Sequence, residues 1–163
     1  MQIEKYETES TVSSLIFTFE SVGERVITKR VIYSKFDNPE DIGLPFNVSV
    51  YNLGFGDFND QIGQLDDQII SQNGDTEQVL ATVAGTAFDF WIEYPYARIF
   101  FTGSVPEGEK PRRTRLYQMK INRYFAQISM MVNVAGYTEN GWETFSKDKN
   151  YVAFLISQKN QVF

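Results

Sequence analysis

The chain has neither a cysteine nor a histidine among its 163 residues. Without thiols there is no disulfide, no thiolate nucleophile and no thiolate metal ligand. Without imidazole there is no Ser-His-Asp or Cys-His catalytic arrangement, and the usual nitrogen ligand for zinc is missing. Catalysis would have to rest on carboxylate, lysine, tyrosine, hydroxyl or backbone groups, with a hard cation such as magnesium as the natural helper. Long apolar runs are also missing, and no segment approaches the roughly 20 residues that cross a bilayer as a helix. The N-terminus, Met1 to Lys5, lacks the charged start and apolar stretch of a secretory signal. A cytoplasmic protein without membrane contact is therefore expected. Positive charge is in deficit, with 15 Lys and Arg against 21 Asp and Glu and a net charge of −6. Such a chain is a poor general binder of nucleic acid, although a local basic patch leaves nucleic acid open as a partner.

What is present is an ordinary apolar fraction of 42% with a high aromatic share of 15%. Large rings suit pleated, half-buried surfaces, so a sheet is expected to carry much of the core. The length matches one domain with a core of its own, and 1–163 reads as a single α+β domain. Charge is uneven along it: residues 1–77 hold 14 acids and 5 bases, residues 78–163 hold 7 acids and 10 bases.

Thr11–Phe19 and Arg25–Tyr33 are rich in β-branched and aromatic residues around Gly23, which predicts an antiparallel hairpin. Phe46–Leu53 alternates and predicts a third strand. Gly54–Gly74 is rich in Gly, Asp, Asn and Gln and reads as a long loop, with a small edge strand at Ile69-Ile70. Asp75-Thr-Glu-Gln78 matches a capping box. Leu80, Val83, Ala84, Ala87, Phe88, Trp91 and Tyr94 then recur at helical spacing up to Pro95. Ala97–Gly103 predicts a buried strand, Pro111 opens a second helix with Tyr117, Ile121, Tyr124 and Phe125 as its apolar stripe, and Ile128–Val134 and Tyr151–Ile156 predict two last strands. The expected order is β-β-β-α-β-α-β-β, a mainly antiparallel sheet of about five or six strands with two packed helices.

Several stretches carry a resemblance: Asn73–Ala84, Tyr94–Ser104, Arg113–Tyr117, Trp142–Phe145 and Asn150-Tyr151. Together they resemble an uncharacterised bacterial domain family of unknown function. That resemblance implies an intact domain from about Tyr51 onward and supplies no catalytic residue. The run Val105–Lys110 departs from it as an apparent insertion. A weaker, topological resemblance is to the GCN5-related acetyltransferase fold. There a helix after the third of these strands presents its N-terminal amides to the acetyl-coenzyme A pyrophosphate, and a late helix often carries a tyrosine acid, matched in place by Tyr117. The glycine-rich loop of that family is absent, and Asp75 and Glu77 put negative charge where phosphates would sit.

The loop acids Asp57, Asp60, Asp66, Asp67, Asp75 and Glu77 are oxygen ligands in number, but their spacing does not match an EF-hand, and turns and helix starts favour the same residues. No metal or cofactor is assigned. Arg112, Arg113, Arg115, Lys120 and Arg123 form the most suggestive cluster, because positive charge in the first turn opposes the helix dipole unless an anion sits nearby. That anion could be a ligand, an acidic protein surface, or the chain's own Asp57–Asp67 loop. Gly103 and Ser104, at the end of a predicted strand, suit a binding position. The expected site is thus Gly103, Ser104, Arg112, Arg113, Arg115, Tyr117 and Arg123, on a non-enzymatic binding or interaction module. A divergent acetyltransferase-like enzyme and a small toxin or antitoxin component acting on nucleic acid are the alternatives.

Overall fold

The computed structural model describes residues 3–59, 61–66, 73–102 and 112–159; for Asp66, Arg112 and Arg113 it describes the backbone alone. The strands in chain order are β1 (Glu9–Ser10), β2 (Ile16–Val22), β3 (Val26–Lys35), β4 (Val50–Asn59), β5 (Gln64–Asp66), β6 (Arg98–Phe101), β7 (Val132–Thr138), β8 (Gly141–Thr144) and β9 (Phe154–Gln158). Three α-helices intervene: α1 (Thr76–Glu93), α2 (Arg112–Arg123) and α3 (Phe125–Met131), with a 3-10 turn at Pro39–Ile42. The class is α+β, as expected. The sheet is larger and mixed: nine strands among the described residues, with β4 and β6 parallel. The chain divides into two compact units, Met1–Ser34 with Leu53–Pro95 and Lys35–Asn52 with Tyr96–Phe163.

In the first unit β2 and β3 form the expected hairpin, in register from Ile16 opposite Ile32 to Val22 opposite Val26. Alternation turns Phe17, Phe19 and Ser21 of β2, and Lys29, Val31 and Tyr33 of β3, away from water. Helix α1 covers this face. Tyr33 stacks on Phe90 at 4.4 Å between centroids, meets Phe17 edge-on, and shares a 2.8 Å hydroxyl bond with Thr86. Burial pushes its phenol well above the ordinary value.

The helix lies where the spacing predicts, but its buried stripe is Val79, Thr82, Val83, Thr86, Ala87, Phe90 and Trp91. Ala84 and Phe88 face out, and Leu80 is half-buried. Thr82 and Thr86 can sit inside because their hydroxyls donate back to the carbonyls of Gln78 and Val83 at 2.7 and 2.6 Å. An apolar pattern cannot see that device. The Gly-rich run after Leu53 is not wholly loop: β4 continues to Asn59 and pairs with β5 from Asp57 opposite Asp66 to Asn59 opposite Gln64. Ile69-Ile70 lies outside the described residues.

In the second unit β4 pairs with β6 only through Val50–Asn52 opposite Arg98–Phe100, and β6, β9, β7 and β8 follow in antiparallel succession. Phe46, expected in a strand, is 78% exposed and precedes β4. Leu44, Val50 and Leu155 pack with Phe36, Ile42, Phe100, Ala135 and Trp142, whose indole N–H donates to the Ile42 carbonyl at 2.7 Å.

The strand expected at Ile128–Val134 is corrected. The chain stays helical through Met131, as α3, and extends only at Val132. The link around Asn140-Gly141 proves to be the turn of a hairpin, with Gly141, at a φ of 102°, as the first residue of β8. Gly136 of β7 lies under the Tyr151 ring, where an added Cβ would overlap Cδ1. Only glycine admits that approach.

Candidate functional site

The start of α1 holds a dense polar cluster. Asp75 sits at the N-cap without capping the helix through its side chain, so the expected capping box is not formed. Its Oδ2 instead accepts from the Ser21 hydroxyl at 2.5 Å and from the Tyr6 hydroxyl at 2.6 Å. Tyr6 oxygen also accepts from the Val22 amide, and the Tyr6 amide donates to Thr82 Oγ1 at 2.9 Å, which ties the N-terminal segment to α1. Burial, reinforced by the bond to Asp75, raises the Tyr6 phenol above its ordinary value.

Beside it, buried Asn73 donates Nδ2 to Ser21 Oγ and the Arg25 carbonyl, and accepts the Arg25 amide on Oδ1 at 2.8 Å. The Asn73 carbonyl crowds Gly23 so closely that an added Cβ would overlap it. Ser21 is fully buried, and its hydroxyl is engaged on both sides. The arrangement therefore fastens β2, β3 and α1 together and offers no substrate access.

The acidic stretch is likewise turned inward where it is described. Asp57 pairs at 2.5 Å with Lys29, a lysine only 3% exposed on the core side of β3. Among the described residues no three carboxylates gather as a metal site would require. Asp60 and Asp67 lie outside the described residues.

Helix α2 behaves differently. Thr114, Gln118 and Ile121 are buried. Gln118 uses both ends of its carboxamide, donating to the Lys149 carbonyl and accepting from the Tyr151 amide, each at 3.2 Å. Tyr117, one of the expected site residues, presents its ring edge-on to Phe101 at 5.7 Å. The opposite side carries Arg115, Met119 and Arg123 at four-residue steps, all exposed, with Met119 at 56%. The Arg123 guanidinium lies 5.4 Å from the Tyr124 ring centre. The first turn holds no acid. Helix α3 adds Met130, 80% exposed, and the exposed Met131.

Of the expected residues, then, Arg115 and Arg123 share an outward ridge and Tyr117 points elsewhere. Arg112 and Arg113 open the same helix, and Gly103 and Ser104 lie outside the described residues. The methionines escaped sequence reasoning, which sought charge alone; the four-residue spacing of Met119 from both Arg115 and Arg123 was the available signal.

A second polar group surrounds β8. Lys149 Nζ donates to both Glu143 oxygens at 3.1 and 2.8 Å, and the Tyr151 hydroxyl donates to Oε2 at 3.0 Å. The bond from Lys149 holds the Glu143 carboxyl below the ordinary range, and the same bond raises Lys149. Each member has its partner within the group.

A family model matches residues 2–159, nearly the whole chain. The chain belongs to the DUF6934 family. This is a family of unknown function, in keeping with the resemblance in the sequence. No curated protein and no solved structure matches this DUF6934 chain. The likeness to GCN5-related acetyltransferases thus finds no support, and the element order on which it rested differs, with five strands before α1 and two helices between β6 and β7. Where it would put a pyrophosphate, α1 of this DUF6934 member begins with Asp75, already bonded to Ser21 and Tyr6, and Glu77 follows.

Proposed function

We propose that this DUF6934 protein is a non-enzymatic binding module whose contact surface is the outward side of α2, and that it takes an acidic, partly apolar protein surface. One observation carries the reading: Arg115, Met119 and Arg123 form an exposed ridge on a helix whose opposite side is anchored by Thr114, Gln118 and Ile121. Arginine and methionine are the residues that interfaces enrich, and methionine adapts to varied apolar partners. The basic start of α2, Arg112 and Arg113, extends the same positive field along the helix. Gly103 and Ser104, a few residues upstream, belong to the proposed surface on sequence grounds. The family match across 2–159 supports treating 1–163 as one functional domain. No described helix is long and apolar enough to cross a membrane, and the lack of cysteine suits a cytoplasmic setting.

The test is a titration with a designed helical peptide that repeats Glu and Leu at four-residue spacing, run beside a DNA oligonucleotide. The expected result is salt-sensitive binding of the peptide that weakens about tenfold or more in Arg115→Glu/Met119→Asp. Equal binding by that variant would remove α2 as the surface. Tighter binding of the oligonucleotide would favour the nucleic-acid alternative instead.

A further inference from the structure

The chain carries on another helix the chemistry that the α2 ridge would accept. Ala84, Phe88 and Ile92 succeed one another at four-residue steps on the outer side of α1. Phe88 is 42% and Ile92 79% exposed. Asp89 and Glu93 flank them, also exposed, and α1 contains no basic residue. The described cation beside this side of the helix is Lys5, whose side chain lies against Gly85 one turn before Asp89. The α1 ridge is therefore apolar and acidic, while the α2 ridge is apolar and basic. Both are rows of residues four apart, the rows that interdigitate in the commonest class of helix packing.

Resting on the reading of α2 as a contact surface, we infer that its occupant is a second copy of this chain, docked through Phe88, Ile92, Asp89 and Glu93 of α1. The contact joins two different surfaces, head to tail. An open assembly keeps one α1 ridge unoccupied at one end and one α2 ridge at the other, so it grows with concentration unless its rotation closes a ring. Opposite charge sets the pairing and makes it salt-sensitive, while the three apolar side chains Phe88, Ile92 and Met119 exclude water from it.

Charge reversal gives a decisive test, read by sedimentation velocity on the full chain at low and at high salt. The wild type is expected to form larger species as concentration rises at low salt and to disperse at high salt. Asp89→Lys/Glu93→Lys and Arg115→Glu/Arg123→Glu should each stay monomeric. Their equimolar mixture should associate, because the unaltered α1 of one variant meets the unaltered α2 of the other. All these positions are exposed, and a cooperative thermal transition in each variant confirms folding. Ile92→Ser, neutral in charge, should weaken wild-type association by about tenfold or more.

A wild type that is monomeric at every concentration overturns the proposal, as does a variant that self-associates like wild type or a mixture that remains monomeric. A monomeric wild type that still binds the Glu and Leu peptide overturns only self-association. Loss of both would remove the α2 surface as well.

Discussion

Two stretches of the chain separate charge almost completely, and Asp57 and Asp75 of the one use it in the opposite way to Arg115 and Arg123 of the other. Between Leu53 and Pro95 there are eight acids and no base; between Lys110 and Thr138 there are six bases and no acid. In the first stretch Asp57 reaches a buried lysine, and Asp75 collects the hydroxyls of Ser21 and Tyr6. In the second, Arg115 and Arg123 stand on the outer side of a helix whose inner side is engaged by Gln118 and Ile121. A run of one charge sign therefore does not by itself announce a binding surface. What marks Asp57 and Asp75 as part of the fold is a buried ammonium or hydroxyl across from each, whereas Arg115 and Arg123 are marked by their exposure on either side of Met119.

The contrast should be sharpest in the aromatic packing that lies under the acidic stretch. Phe90→Ala is expected to cost about 3–5 kcal/mol, because the ring is fully buried against Tyr33. Met119→Ala on the basic helix should change stability by no more than about 0.5 kcal/mol. Urea denaturation of both variants checks the pair. Phe88→Ala, at a position that spacing alone assigns to the core, should fall nearer the second value than the first. A loss at Phe88 as large as at Phe90 would mean that α1 is rotated from the placement described.

At the level of the charges themselves the effects are smaller. Lys29→Met removes the ammonium that pairs with Asp57, and Asp75→Ala removes the carboxylate that accepts from the Ser21 and Tyr6 hydroxyls. Each should destabilise by about 1–3 kcal/mol. Arg115→Ala should be nearly neutral, within about 0.5 kcal/mol, since an exposed charge contributes little. Thermal melts at matched salt would settle the comparison, and a large loss at Arg115 would show that this arginine serves the fold.

How much of this was readable beforehand depends on what each residue leaves in the pattern. The β2–β3 hairpin and α1 were legible, because β-branched runs around Gly23 and three-to-four spacing up to Pro95 are strong signals. The exact face of α1 was not, because Thr82 and Thr86 are polar in sequence and apolar in use once their hydroxyls turn back to the helix. Helix α3 was hidden by Ile128-Ser-Met-Met, which alternates enough to resemble a strand, and β8 by a turn signal that masked the strand behind it. At the candidate site the arginines were found from charge. The outward placement of Arg115 and Arg123, the packing of Tyr117 on Phe101 and the exposure of Met119 all required the helix orientation.

The smallest expected effect is on pH dependence. Lys149 holds the Glu143 carboxyl down, so that contribution is present above the ordinary carboxylate value of 4.5 and is lost as pH falls through the lower folded value. Lys149 is raised by the same bond, and its contribution is present below 10.5 and lost as pH rises through the higher folded value. Tyr151, raised by burial from 10.0, loses its contribution on the same alkaline side. With no imidazole in the chain, stability should be level from about pH 6 to about pH 8 and decline on both flanks. Lys149 is exposed and Glu143 half-buried at the surface, so the acid-side decline should shrink in Glu143→Gln and at high salt. A step in stability near neutrality in a pH series of melts would point to a strongly perturbed carboxylate elsewhere.

The carboxamide of Gln118 gives the basic helix a built-in gauge. Because its oxygen accepts the Tyr151 amide, α2 cannot lift away without uncovering that one N–H to solvent. Deuterium uptake at Tyr151 therefore times the undocking of α2, and does so from the side opposite the arginines, where a bound partner would not itself shield the amide. A partner that grips the helix and steadies it should slow this exchange without touching the residue that reports it.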